Sequence, residues 1–160
     1  MPHQHWVFYL TTMTTETLSE IHVSYKPGLT SSTTIITNSQ NAYEILKSIF
    51  PADTISLQEQ FVVLYLNRAN RVIGSYQLSK GGITGTIADV RLILSVALKT
   101  LASGLILAHN HPSGNLKPSE ADKQITNKIR QAAKLLDIEL IDHIIISSEG
   151  YYSFMDDAIL

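Results

Sequence analysis

Ala108-His109-Asn110-His111-Pro112-Ser113-Gly114, followed after Asn115, Leu116 and Lys117 by Pro118-Ser119-Glu120-Ala121-Asp122, is the stretch that decides how this chain is read. Residues 105–108 in front of it are short and wholly apolar, the pattern of a buried strand. Behind it, Ala121, Ile125, Ile129, Ala132, Ala133 and Leu136 recur at the spacing of an amphipathic helix. The polar stretch between them, with its Pro and Gly, must be a loop. A strand thus hands its end to a loop that starts a helix. His109 and His111, two apart at a strand end, project to the same side in extended geometry. Ser119 and Asp122, three apart at a helix start, share a face, so the returning loop can bring that carboxylate to the same ion. Two imidazoles, one carboxylate and an open fourth position form the ligand set of a catalytic zinc site. There the pKa of a bound water falls toward ~7.

Each part of this pattern also has a plainer reading. Ser119 to Asp122 is an ordinary helix cap, and Pro118 is a common residue at a helix start. A His pair at i and i+2 is cheap, as His3 and His5, assigned to a frayed terminus, illustrate. The whole string, H-x-H, seven residues, S-x-x-D, is not cheap: four fixed positions coincide by chance roughly once in 10^5 starting points. The literal His109-Asn110-His111 is not an HNH nuclease motif, whose letters are scattered along a ββα unit. Zinc deaminases need cysteine ligands, and the chain has no cysteine. The same absence excludes disulfides, thiolate metal sites and a Cys nucleophile.

Working outward, the rest of the chain supplies layers for such a site. Asn38 or Ser39 caps a helix whose Ala42, Ile45, Leu46 and Ile49 share a face, and Pro51 stops it. Residues 61–66 and 71–78 read as antiparallel strands joined by Asn67, Arg68, Ala69 and Asn70. Gly81, Gly82 and Gly85 punctuate a loop that lacks the Lys and Ser/Thr of a phosphate-binding loop. Ile87, Val90, Leu94, Ala97, Leu98 and Leu101 then recur at helical spacing, which predicts a buried helix. A last strand covers 142–146, before a turn at Ser148, Glu149 and Gly150. The expected architecture is α/β: a mixed sheet with helices on both faces, a three-layer α/β/α sandwich. Residues 1–34 read as a polar, partly irregular arm with one edge strand around Ile21, Val23 and Tyr25, and 35–160 as the domain. At 160 residues, 44% of them hydrophobic, the chain suffices for one core. The formal net charge of -2 gives no basic excess for phosphate binding. The apolar stretch near the N-terminus is too short to span a bilayer and has no Lys or Arg before it, so the expectation is a soluble cytoplasmic protein without a membrane partner.

The spacing is similar to the JAMM (MPN+) signature of zinc isopeptidases, and the string 108–114 with 118–122 closely resembles the bacterial RadC family. The resemblance runs from about Ile36 to Phe154, taking in Asp142-His143 and Gly150-Tyr151-Tyr152-Ser153-Phe154. It implies a JAMM/MPN fold, akin to the cytidine-deaminase architecture, and a zinc-dependent metallohydrolase with His109, His111 and Asp122 as metal ligands. By the same carry-over Glu59, two residues before Phe61, is the general base. Spacing alone does not select it over Glu44 or Asp53. Ser119 is the donor to the developing oxyanion. The implied substrate is a peptide or protein. The alternative is a non-catalytic JAMM-fold module that binds a partner, or a DNA-repair accessory protein. Asn110 replaces the Ser or Thr usual between the histidines of isopeptidases, which favours the RadC branch. The helix-hairpin-helix region of full RadC proteins has no counterpart before Asn38, so DNA is supported only by the family's label. His143, inside an apolar strand, is expected to be a core or supporting histidine and not a ligand. Asn115 and Lys117 are read as solvated loop residues, and His22 receives no role.

Overall fold

The structure, a computed structural model, describes Tyr25, residues 34–81 and residues 88–160. The elements run α1 (Ser39–Ile49), β1 (Gln60–Leu66), β2 (Val72–Lys80), α2 (Val90–Thr100), β3 (Gly104–Asn110), α3 (Glu120–Lys134), β4 (Glu139–Ile146) and β5 (Tyr151–Ser153). The five strands form one mixed sheet in the order β2-β1-β3-β4-β5. β1 is antiparallel to both β2 and β3, β3 and β4 are parallel, and β5 returns antiparallel on β4.

Every residue of β1 and of β3 is buried, as expected of central strands covered on both faces. Alternation sends Val62, Leu64, Ile106, Ala108, Ile144 and Ile146 to the α1 side, where Ala42, Leu46 and Phe50 meet them. Phe61, Val63, Tyr65, Leu105 and Leu107 face the other way, onto Ile93 and Ala97 of α2 and Ile129 and Ala133 of α3. The three layers read from periodicity are therefore present, and the fold is the expected α/β sandwich.

The local signals worked where they had a mechanism. Asn38 caps α1 by accepting from the Asn41 amide, and the helix ends at Phe50, before Pro51. Asn67 organises the β1–β2 loop, its side-chain oxygen accepting from the Ala69 and Arg71 amides. Two readings need correction. The face assigned to α2 is not buried throughout: Leu98 is exposed and Leu101, 87% exposed, is its left-handed C-cap, while the burial falls on Ile93 and Ala97. Ala121 and Leu136 of the α3 pattern are exposed as well. Strand β5, at Tyr151–Ser153, follows the expected turn at Ser148, Glu149 and Gly150 and is not predicted by the sequence pattern. Apart from Tyr25 and Thr34, the arm with its edge strand lies outside the described residues, as do Gly82, Gly85 and Ile87. Among the described residues no helix is long and apolar enough to cross a membrane.

Candidate metal centre

The antiparallel pairing of β1 with β3 sets Phe61 opposite His109, so the start of β1 lies beside the end of β3. That register brings Glu59, just before β1, to the place where the histidines emerge. His109 is the penultimate residue of β3 and is buried, with the Phe61 ring stacked on it at 5.8 Å between centroids. His111 follows just beyond the strand and is half-buried. A tight turn comes next, closed by the Gly114 amide donating to the His111 carbonyl, with Gly114 at φ +79°, a conformation that suits glycine. The turn sends the Asn115 carbonyl back onto His111 Nδ1 at 2.5 Å. A carbonyl can only accept, so Nδ1 carries the proton and Nε2 of the neutral ring offers a lone pair.

The chain then reaches α3, whose first turn is a capping box. Ser119 Oγ accepts from the Asp122 amide at 3.1 Å, while Asp122 Oδ2 accepts from the Ser119 amide at 2.7 Å and hydroxyl at 2.6 Å. The helix-cap reading of Ser119 and Asp122 is realised, and the same carboxylate also reaches the histidines. Asp122 Oδ1 is 3.2 Å from His109 Nε2, Asp122 Oδ2 is 3.7 Å from His111 Nε2, and the two Nε2 atoms are 3.0 Å apart. Donor atoms bound ~2.0–2.1 Å from a tetrahedral zinc would sit roughly 3.3 Å from one another. The imidazole nitrogens and the nearer oxygen to each lie close to that spacing, and one donor atom from each residue falls within 4.8 Å of the others, so His109, His111 and Asp122 form a group that can hold a metal ion.

Electrostatics follow the geometry. Burial pushes the Asp122 carboxyl up, but its bonds to His109, His111 and the Ser119 hydroxyl outweigh that and hold it far below the usual carboxylate range. His111 is raised above the ordinary imidazole value, chiefly by its bond to Asp122 against the opposing effect of burial, with the Asn115 carbonyl and the Glu59 charge adding. Glu59 lines a cavity of about 500 Å³ with Leu57, His111, Pro112, Lys117 and Ser119. The two residues expected to do chemistry therefore open onto the same space as the exposed side of the metal group.

Sequence reasoning used Asn110 only as a family marker and missed its work. Its side chain is buried and faces away from the histidines. Nδ2 donates to the Ile55 carbonyl at 2.6 Å and the Gln58 carbonyl at 2.9 Å, while Oδ1 accepts from the Gln60 amide at 2.7 Å. Asn110 thus grips the backbone on both sides of Glu59. Gln58 Nε2 adds a bond to the Gly81 carbonyl, and the Gly81 amide donates to the Glu59 carbonyl. The only advance signal was an amide side chain at the end of a strand due to be buried. His143 stands where it was expected, as a supporting histidine: fully buried in β4, it meets His109 Nδ1 at 2.8 Å through Nε2. Burial, and then the neighbouring His109 imidazole, holds it well below the ordinary imidazole value. Asp142 beside it accepts from the Ser153 hydroxyl and the Met155 amide, and Phe154 stacks on the His143 ring. The Asp-His pair and the Tyr-Tyr-Ser-Phe run of the sequence are thereby one connected unit.

The model for the RadC-like JAB domain matches residues 36–159. The chain belongs to the RadC-like JAB domain family. Within it, the chain is 52% identical over 124 residues to a UPF0758 protein of Flavobacterium johnsoniae, covering 78% of this chain and 53% of that protein. A UPF0758 protein of Porphyromonas gingivalis is 48% identical over 126 residues, covering 78% and 54%, and one of Streptococcus gordonii 41% over 100 residues, covering 62% and 44%. The chain spans about half the length of these curated relatives. The match of this RadC-like JAB domain begins one residue after Ile35, which bridges to Arg71, and ends beyond β5, so it takes in all five strands and the candidate metal group.

Proposed function

We propose that this RadC-like JAB domain is a zinc-dependent hydrolase of peptide or isopeptide bonds. The observation that carries the reading is the convergence of one donor atom each from His109, His111 and Asp122 within 4.8 Å of one another, beside a cavity that Glu59 and Ser119 also line. Zinc, when bound, supplies a Lewis acid that lowers the pKa of water and polarises a carbonyl. The chain's residues do the rest. Glu59 accepts the proton of the attacking water and returns it to the leaving amine, a role suited to a carboxylate held at the rim of the cavity. Ser119 turns its hydroxyl, here given to Asp122 Oδ2, toward the oxyanion that develops on the scissile carbonyl. His109 is sealed by Phe61 on one side, which keeps water from the buried ligand. Leu57, 76% exposed, and Pro112 give the cavity an apolar flank against which a peptide side chain can lie.

The test is a peptide-library digest with the zinc-loaded chain, run beside Glu59→Gln. The wild type is expected to cleave, and the variant to retain its zinc while turnover falls about 10^2-fold or more. Equal cleavage by the variant would remove Glu59 from the chemistry. A zinc-loaded wild type inert across the library would leave the domain a binding module.

A further inference from the structure

A chain of hydrogen bonds runs from the metal group into the helix that carries Asp122, and its direction can be read from one end. Thr126 Oγ1 lies 2.5 Å from the Asp122 carbonyl oxygen one turn earlier in α3, and 2.6 Å from His143 Nδ1. A carbonyl oxygen cannot donate, so the hydroxyl's one proton goes to Asp122 O. Oγ1 is then an acceptor toward His143, and Nδ1 must carry the proton of that bond. His143 is fully buried between the rings of Phe61 and Phe154, an apolar setting that favours the neutral imidazole with a single proton. Its Nε2 is therefore bare and accepts at 2.8 Å from His109 Nδ1–H. With the proton fixed on Nδ1, His109 presents a lone pair at Nε2, the atom 3.2 Å from Asp122 Oδ1 and 3.0 Å from His111 Nε2.

We propose that Thr126 and His143 are positioning residues that set the ring tautomer and orientation of His109 for metal binding, from a helix anchored by the third ligand. Resting on the metal reading above, the proposal adds that two residues outside the ligand set determine how tightly it holds zinc. The device closes on itself: the relay ends on the backbone oxygen of Asp122, so ligand and support share one helical turn. Without the Thr126 hydroxyl, the His143 Nδ1–H loses its acceptor. The His143 proton can then move to Nε2, which forces His109 into the opposite tautomer with Nε2–H facing the ion.

The experiment compares the full chain with Thr126→Val, which keeps the shape but lacks the hydroxyl, and with Thr126→Ser, which restores it. Zinc affinity by chelator competition is expected to fall about 10- to 100-fold in Thr126→Val and to stay within a few-fold of wild type in Thr126→Ser. Equal affinity in wild type and Thr126→Val would overturn the proposal. A second readout does not depend on metal: 15N NMR of the histidine rings in the chelator-treated wild type should show His143 and His109 both protonated at Nδ1. Finding the His143 proton on Nε2 would overturn the relay whether or not zinc binds. Correct tautomers in a wild type that holds no zinc would confirm the relay as a structural device and sink the metal reading instead.

Discussion

His109 and Asn110 are neighbours at the end of β3, yet they face opposite layers and do different kinds of work. On the α3 side His109 is surrounded by rings and by a directed chain of side-chain bonds, and what matters is which atom carries a proton. On the α1 side Asn110 spends its amide on three backbone groups of residues 55–60, and what matters is where a segment of chain is held. One face bears the candidate ligands and the other fixes the position of a carboxylate 51 residues away in sequence. The pleat of a single strand separates the two tasks, so each can be damaged without the other.

The sharpest break is on the ligand face. His109→Ala should purify with zinc at background while wild type holds about one equivalent, because a two-ligand remnant leaves the ion to water. Equal zinc in both would end the assignment of the site. On the other face, Asn110→Ala should keep its zinc and lose turnover by about 10^2-fold, the scale of a catalytic group displaced by about 1 Å. It should also cost roughly 3 kcal/mol of stability from the unpaired Gln60 amide and two orphaned carbonyls, read by denaturant titration. Zinc lost along with activity would mean that the two faces are not separable.

A pH series sharpens the contrast without mutation. In chelator-treated protein His111 is raised above its ordinary 6.5, so the stability it draws from Asp122 is fully present below 6.5 and is lost as pH rises through the folded value. Asp122 is lowered, so its share persists above the ordinary 3.8 and disappears only as acid titrates it in the folded state. Zinc competes with the His111 proton, so the rise in Tm on adding zinc should grow from about pH 6 to about pH 8. A zinc increment that shrinks over that range would contradict the pairing. The smallest effect is expected at Asp142, which touches neither a candidate ligand nor Glu59: Asp142→Asn should lower stability by about 1 kcal/mol, since one oxygen can still accept from the Met155 and His143 amides while Ser153 can turn to accept. A loss as large as that of Asn110→Ala would show that the Asp142 charge is itself required.

What could be read beforehand follows from which forces are local. Ala42 and Leu46 lie on the buried face of α1, and Asn38 and Pro51 bound it, because caps and periodicity are encoded within a few residues. The candidate metal group of His109, His111 and Asp122 was legible for the same reason, since strand end, loop and helix cap are contiguous. Glu59 was legible only through the family resemblance at Phe61, because its place depends on the β1–β3 register and spacing alone does not distinguish it from Glu44 or Asp53. Strand β5 escaped because three residues carry almost no pattern of their own; Ser153 is held there by its bond to Asp142, a contact between residues eleven apart. Leu98 and Leu101 misled because an apolar residue is free to stay at the surface. Thr126 was invisible among polar helix residues until β4 set His143 against it.

The capping box at the start of α3 makes the letters of the motif unequal as witnesses. Asp122 would be retained in any descendant that still needs this helix to begin at Ser119, whether or not that descendant binds a metal. The imidazoles enjoy no such second employment at a helix start. A lineage that abandoned the chemistry would therefore first betray itself at 109 and 111, and an aspartate surviving alone would testify to architecture.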